Sequence, residues 1–247
     1  MPFPSLRVLI TRPLAQAPEL VSALQAQGLE TLICPAIEVS PLALTGVQEA
    51  DLRAHLPMTD WLVFTSVNGV KAWQTLPNAL RQLLPSHCRV AVTGPRTAAA
   101  AVTAGLTVGL CPAEHTGQAL AEALLAYAPQ QVVALRAQDA RPELPALLAA
   151  HHIPLYDLPI YTTHAVPMPP RIPPVDVITF TSPSAVQAFA AWGEIAHQAL
   201  AQAKIAVIGP TTAAASFESF GRVDIQAAPY TIPGLVQALT HAYQGVA

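Results

Sequence analysis

Residues 89–100 read RVAVTGPRTAAA, and residues 204–215 read KIAVIGPTTAAA. Eight of the twelve paired positions are identical, although the two stretches start 115 residues apart. Each opens with a short apolar, β-branched run, passes through Gly-Pro and continues into alanines. That is the pattern of a strand handing over to a helix. The apolar run has strand length, the proline falls at the first helical position where its missing N–H costs nothing, and alanine is the best helix former. Because the glycine, the proline and a threonine keep register along with the apolar residues, the match points to a duplicated structural unit.

Working outward, the same strand-then-helix alternation recurs six times. RVLI at 7–10 leads into QAPELVSALQAQG, in which Ala17, Leu20, Val21 and Leu24 fall at i, i+3, i+4 and i+7, with Gly28 as the stop signal. WLVFTS at 61–66 leads into VNGVKAWQTL, and RVAVTG at 89–94 into PRTAAAAVTAG. The series then starts over with QVVALR (131–136), VITFTS (177–182) and KIAVIG (204–209), each followed by a helical pattern. FTSVNGV (64–70) matches FTSPSAV (180–186), PAIEV (35–39) corresponds to LPIYT (158–162), and HTGQALAEAL (115–124) matches TIPGLVQAL (231–239). Strands that are apolar on both faces belong in parallel sheets covered by helices on each side, joined by right-handed crossovers. The expected class is α/β, with two similar lobes, each a parallel sheet flanked by helices. CPAIEVSP (34–41) and YDLPIYTTH (156–164) are extended, proline-bounded stretches that could be ordinary final strands on pattern alone. MPPRIPPV (168–175) is a proline-rich connector.

Composition narrows the function. The chain has 247 residues, 52% of them apolar and 11% charged, with a formal charge of −3. No apolar run is long enough to span a membrane, and MPFPSLRVLITR lacks the basic-then-apolar layout of a leader. Cys34, Cys88 and Cys111 are scattered and odd in number, which suits a reduced compartment. A cytoplasmic protein without a membrane partner is expected. The slight negative charge argues against nucleic acid. It leaves room for a small anion, because backbone N–H groups alone can hold one.

Candidate site residues cluster at the strand-to-helix junctions, where α/β sheets place their ligands. Thr65-Ser66 and Thr181-Ser182 end strands, and each serine can cap the helix that follows. Pro95 and Pro210 start helices, with Thr97 and Thr212 inside the first turn. Capping for stability, about 1 kcal/mol each, is the plain explanation. The duplication adds a second one: matching edges on two lobes suit a ligand with anionic groups on opposite sides. There is no Walker motif, no dinucleotide loop and no G-x-S-x-G elbow. His151-His152 would point apart on a helix, and no Cys or carboxylate cluster joins them, so no metal site is expected. Arg12, before Pro13, reads as an anion contact or as a surface arginine. Tyr161 lies in one of the two extended segments, and on the sequence alone it is a packing residue.

Taken together, VLITRP, DWLVFTSVNGV, VAVTGPRTAAA, PIYTT, DVITFTSPSAV and IAVIGPTTAAA resemble the uroporphyrinogen-III synthase family along nearly the whole chain. The resemblance implies that the N-terminal unit completes the C-terminal lobe: residues 1–37 and 166–247 form lobe one, and 41–157 lobe two. Segments 34–41 and 156–164 then become a two-stranded β-ladder between lobes. It implies a substrate, hydroxymethylbilane, whose eight carboxylates would meet hydroxyls and N–H groups of both lobes. The linear tetrapyrrole would lose water, the last pyrrole would be inverted through a spiro intermediate, and uroporphyrinogen III would form on the way to haem, sirohaem, cobalamin or chlorophyll. By the family pattern Tyr161 assists departure of the hydroxyl. Thr65, Ser66, Thr97, Ser182, Thr211 and Thr212 bind substrate, with Arg12, Asn68 and Ser184 beside them. No cofactor or metal is implied. A monomer making transient contact with the preceding pathway enzyme is the expected assembly. The rival reading is a two-lobed cytosolic binding or regulatory protein for a small anionic ligand, without catalysis.

Overall fold

A computed structural model describes residues 6–244, so residues 1–5 and 245–247, which the expected lobe one includes, lie outside the described residues. Its strands are β1 (Arg7–Ile10), β2 (Glu30–Ile33), β3 (Ile37–Pro41), β4 (Trp61–Phe64), β5 (Arg89–Val92), β6 (Val108–Leu110), β7 (Val132–Ala137), β8 (Leu155–Ala165), β9 (Val177–Phe180), β10 (Lys204–Val207) and β11 (Ile225–Gln226). The helices are α1 (Ala17–Gln25), α2 (Gly46–His55), α3 (Val67–Thr75), α4 (Asn78–Arg81), α5 (Pro95–Thr103), α6 (Gly117–Leu125), α7 (Glu143–Ala150), α8 (Pro183–Ala190), α9 (Glu194–Gln202), α10 (Pro210–Phe220) and α11 (Ile232–Gln244).

The strands form two sheets, in the orders β11-β10-β9-β1-β2 and β3-β8-β7-β4-β5-β6. β1 pairs in parallel with β2 and β9, so the N-terminal RVLI lies in the sheet of VITF and KIAV. β7 pairs in parallel with β4 and β8, and β4 with β5. The described residues divide into two compact units, 6–38 with 164–244, and 39–163. The chain passes from one to the other inside β3 and again inside β8, and these two strands are neighbours. The N-terminal segment therefore completes the C-terminal sheet, as the resemblance implied.

The doubly apolar strands follow from two covered faces in each sheet. In the first unit, Leu9, Ile178, Phe180, Ile205 and Val207 pack with Val186, Phe189 and Trp192 of the α8 region. Their neighbours Val8, Ile10, Val177 and Ala206 face the opposite way, onto Leu20 and Leu24 of α1 and Leu235 and Leu239 of α11. The second unit repeats this, with Leu62, Phe64, Val90 and Val92 on one face and Trp61, Val63 and Ala91 on the other. Each fully buried aliphatic or aromatic side chain contributes about 1.5–3 kcal/mol, so the strand centres carry much of the stability.

The sequence pattern missed the short strands β2, β6 and β11. They have only two to four residues and are partly exposed, so they show little periodicity. It also missed α2, although Thr45 and Gln48 form a capping box that TGVQ spells out. Residues 166–175 hold neither strand nor helix. The histidine pair needs a correction: His151 is the C-cap of α7 and His152 follows it at φ 57°, so neither stands within a helix.

Candidate functional site

The junctions are built from the same parts in both units. Ser66 is the N-cap of α3 and accepts from the Gly69 N–H at 3.2 Å; Ser182 is the N-cap of α8 and accepts from the Ala185 N–H at 3.2 Å. Gly94 and Gly209 are the N-caps of α5 and α10, with Pro95 and Pro210 next. Thr97 and Thr212 are third in those helices and are 5% and 2% exposed. No side chain caps either helix, so capping does not account for these two threonines. Thr211 beside Thr212 is exposed.

Strand register identifies further counterparts. Val8 pairs with Val177 in one sheet as Val132 pairs with Trp61 in the other, and Ile10 pairs with Ile33 as Ala134 pairs with Asp157. Counting along each strand makes Arg12 the counterpart of Arg136, Pro35 of Pro159, and Ile37 of Tyr161. Arg12 and Arg136 are 5% and 6% exposed. Arg12 reaches Glu19 at 3.7 Å, whereas the Arg136 guanidinium grips Asp157 with Nε at 2.8 Å and with Nη2, and donates from Nη1 to the Arg141 carbonyl at 2.8 Å. Arg136 escaped the sequence reading, although RVLITR and QVVALR align with both arginines last.

β8 departs from plain strand geometry at Tyr161. Arg136 of β7 pairs with Pro159 but Ala137 pairs with Tyr161, so Ile160 is an extra residue, a β-bulge. Strict alternation would send Ile160 and Tyr161 to opposite faces. With the bulge, Leu158, Ile160 and Tyr161 all enter the same core as Phe64 and Val70. Tyr161 is 6% exposed, and its hydroxyl lies 2.7 Å from Ser66 Oγ. Burial pushes the phenol above the usual tyrosine value; the Ser66 hydrogen bond pulls it back, Asp139 raises it again and Arg136 lowers it. Gly69 makes the approach possible. A methyl group there would stand 2.9 Å from the Leu135 carbonyl oxygen, 3.3 Å from the Phe64 ring and 3.8 Å from the Tyr161 ring.

The second unit thus brings together Thr65, Ser66 and Tyr161. The Thr65 carbonyl accepts from Thr93 Oγ1 at 2.9 Å, and Asn68 lies half-buried in the first turn of α3. In the first unit, Ser182 Oγ lies 3.1 Å from Ser184 Oγ, and the place of Tyr161 is taken by the buried Ile37. Two rings were not foreseen. His115 lies against Gly94 and Tyr230 against Gly209, each with its Cγ 3.3 Å from where a methyl group would sit. Both precede a threonine that caps the next helix, Thr116 and Thr231, which is the signal the matched HTG and TIPG segments offered.

The arrangement offers helix N-termini with unspent N–H groups, suited to carboxylates, and one phenol hydrogen-bonded to a capping serine. Among the described residues no three His, Cys, Asp or Glu side chains are grouped to hold a metal ion. The sequence model of the family described as uroporphyrinogen-III synthase HemD matches residues 18–237. The uroporphyrinogen-III synthase of Synechococcus elongatus is 26% identical over 254 residues, covering 94% of this chain and 93% of that protein. The one from Chlorobaculum parvum is 26% identical over 261 residues, covering 95% and 98%. Among solved structures, a mutant uroporphyrinogen-III synthase from Thermus thermophilus superposes with a TM-score of 0.67 at 18% identity, covering 97% of this chain and 99% of that one. The Helicobacter pylori enzyme gives 0.65 at 19%, covering 96% and 99%. At these identities the solved structures establish the shared fold.

Proposed function

The chain belongs to the uroporphyrinogen-III synthase family, and from that membership we propose that it is a hydro-lyase closing hydroxymethylbilane to uroporphyrinogen III with inversion of the last pyrrole. The observation that carries the reading to particular atoms is the buried Tyr161 phenol, 2.7 Å from the serine that starts α3. In this reading Tyr161 gives its proton to the departing hydroxyl. The C–O bond breaks, its electron pair leaves with the oxygen as water, and the pyrrole becomes an azafulvene electrophile. The substituted carbon of the last ring attacks, the spiro intermediate reopens, and closure at the other carbon releases one proton, which restores the phenol. Water is the only other product, so atoms and charge balance.

The tetrapyrrole supplies its own reactive electrons, and the protein's share is to hold the chain ends in attacking position. Asn68, Thr97, Ser182, Ser184, Thr211 and Thr212 would take carboxylates with the N–H groups beside them, while the Ser66 hydroxyl stays with Tyr161. Thr65 and Arg12 would flank those contacts. Hydroxyls and N–H groups suit this work because they bind carboxylates without needing a counter-charge in every pocket. No helix among the described residues is long and apolar enough to cross a membrane, which fits a cytoplasmic location.

The test is product analysis after feeding freshly made hydroxymethylbilane. Uncatalysed closure yields the symmetric type I isomer, so type III is expected from this protein, and type I alone would overturn the assignment. Turnover should survive exhaustive chelation. Loss of activity restored by one specific metal would show that the chemistry was misread.

A further inference from the structure

We propose that Ser66 is a positioning residue for Tyr161: its hydroxyl donates to the phenol oxygen, which leaves the phenol proton for the departing hydroxyl. The inference rests on the reading of Tyr161 as proton donor and assigns the group that orients it.

A serine hydroxyl has one proton and two lone pairs. One lone pair of Ser66 is taken by the Gly69 N–H at 3.2 Å, and the phenol lies 2.7 Å away. If the phenol donated to Ser66, its single proton would be held by the protein. With Ser66 as donor, the bonds run in one direction, from Gly69 N–H to Ser66, from Ser66 to Tyr161, and from Tyr161 to substrate. Bonds aligned in this way polarise one another. The Gly69 N–H belongs to the first turn of α3, where the helix dipole favours negative charge. The phenolate left after proton transfer therefore keeps a hydrogen bond that is already in place. The proton given up returns when ring closure releases one, so the serine ends as it began.

The other unit separates this role from capping. Ser182 caps α8 with the same 3.2 Å bond, yet its oxygen meets Ser184, and Ile37 stands where the phenol would be. Capping accounts for a serine at both junctions. It does not account for the phenol at one.

The experiment measures steady-state kinetics on hydroxymethylbilane and, without substrate, the tyrosinate absorbance titration of Tyr161, read as the difference from Tyr161→Phe. Ser66→Ala is expected to lower kcat about tenfold with KM little changed, the size of one lost hydrogen bond. It should also move the Tyr161 titration to higher pH. Ser66→Thr keeps a hydroxyl and recovers part of both changes. Ser66→Asp caps as well as serine but has no proton to donate, so it should lose kcat like alanine while the helix stays capped. In a Tyr161→Phe background Ser66→Ala should cost no further kcat, and Ser182→Ala should leave the Tyr161 titration in place. An unmoved titration in folded Ser66→Ala, wild-type kcat in Ser66→Asp, or additive losses in the double variant would each overturn the proposal. Those results, with type III still formed by the wild type, remove this inference alone; type I alone from the wild type removes the functional reading beneath it.

Discussion

The two junctions FTSVNGV and FTSPSAV have the same local structure and different surroundings. Both end a buried strand, and both use a serine to cap a helix at 3.2 Å. In the second unit β8 runs unbroken for eleven residues past the junction, and a one-residue bulge turns Tyr161 onto the capping serine. In the first unit the corresponding stretch stops after four residues of β2, resumes as β3 after Cys34–Ala36, and offers Ile37. Duplication thus supplied two equivalent carboxyl edges, and a difference in the neighbouring strand gave one of them a buried phenol. Isoleucine and tyrosine are both buried at this position, each in the core of its own unit. Only the tyrosine adds a hydroxyl, and that hydroxyl meets Ser66 at 2.7 Å.

The sharpest way to break the contrast is Tyr161→Phe, which leaves the ring and removes the hydroxyl. Positioned acid catalysis contributes about 10²–10⁴-fold, so kcat should fall within that range while the thermal melt stays near wild type. Wild-type turnover would take Tyr161 out of the mechanism, and a collapsed melt would return it to packing alone.

The arginine counterparts should differ next. Asp157→Ala leaves the buried Arg136 without its carboxylate and is expected to cost about 3 kcal/mol in denaturant unfolding. Glu19→Ala, at the looser and half-exposed partner of Arg12, should cost less than about 1 kcal/mol. Equal losses would mean that the two arginines are equally anchored. Gly69→Ala forces a methyl group to within 2.9 Å of a backbone carbonyl and should destabilise by about 1–3 kcal/mol, with kcat falling as the first turn of α3 shifts away from Tyr161. Silent kinetics in a folded Gly69→Ala variant would detach the helix start from the site.

The capping serines give a smaller effect. Alanine at Ser182 should cost about 1 kcal/mol of stability, measured by chemical denaturation, through the lost cap bond, and alanine at Ser66 somewhat more, because it also removes the partner of the buried Tyr161 phenol. The smallest signal is the pH dependence. Burial raises the Tyr161 phenol above its usual value of about 10, so it stays protonated through the neutral range. Activity that needs the proton should therefore be flat there and fall only as pH rises through the raised value. Stability should fall in the same direction, because unfolding releases the phenol to its lower, ordinary pKa. A rise in activity across that alkaline range would mean that the phenolate is the working form.

Much of this protein can be read from its sequence because local chemistry leaves local traces. The apolar runs, the Gly-Pro starts of α5 and α10, the Ser caps of α3 and α8 and the repetition of all three mark parallel strands and the helices that cover them. Those same segments, in order, carry the family resemblance. The tertiary structure decided what depends on distant partners. Nothing in YDLPIYTTH marks Ile160 as the extra residue, because a bulge exists only against the register of the neighbouring strand. Ser66 and Tyr161 are 95 residues apart, and their 2.7 Å contact exists because β4, β7 and β8 lie side by side and Gly69 has no side chain to hold α3 away. Sequence patterns report each residue's own preference for strand, turn or cap, whereas the direction a side chain takes from a strand follows from the pairing of that strand with another.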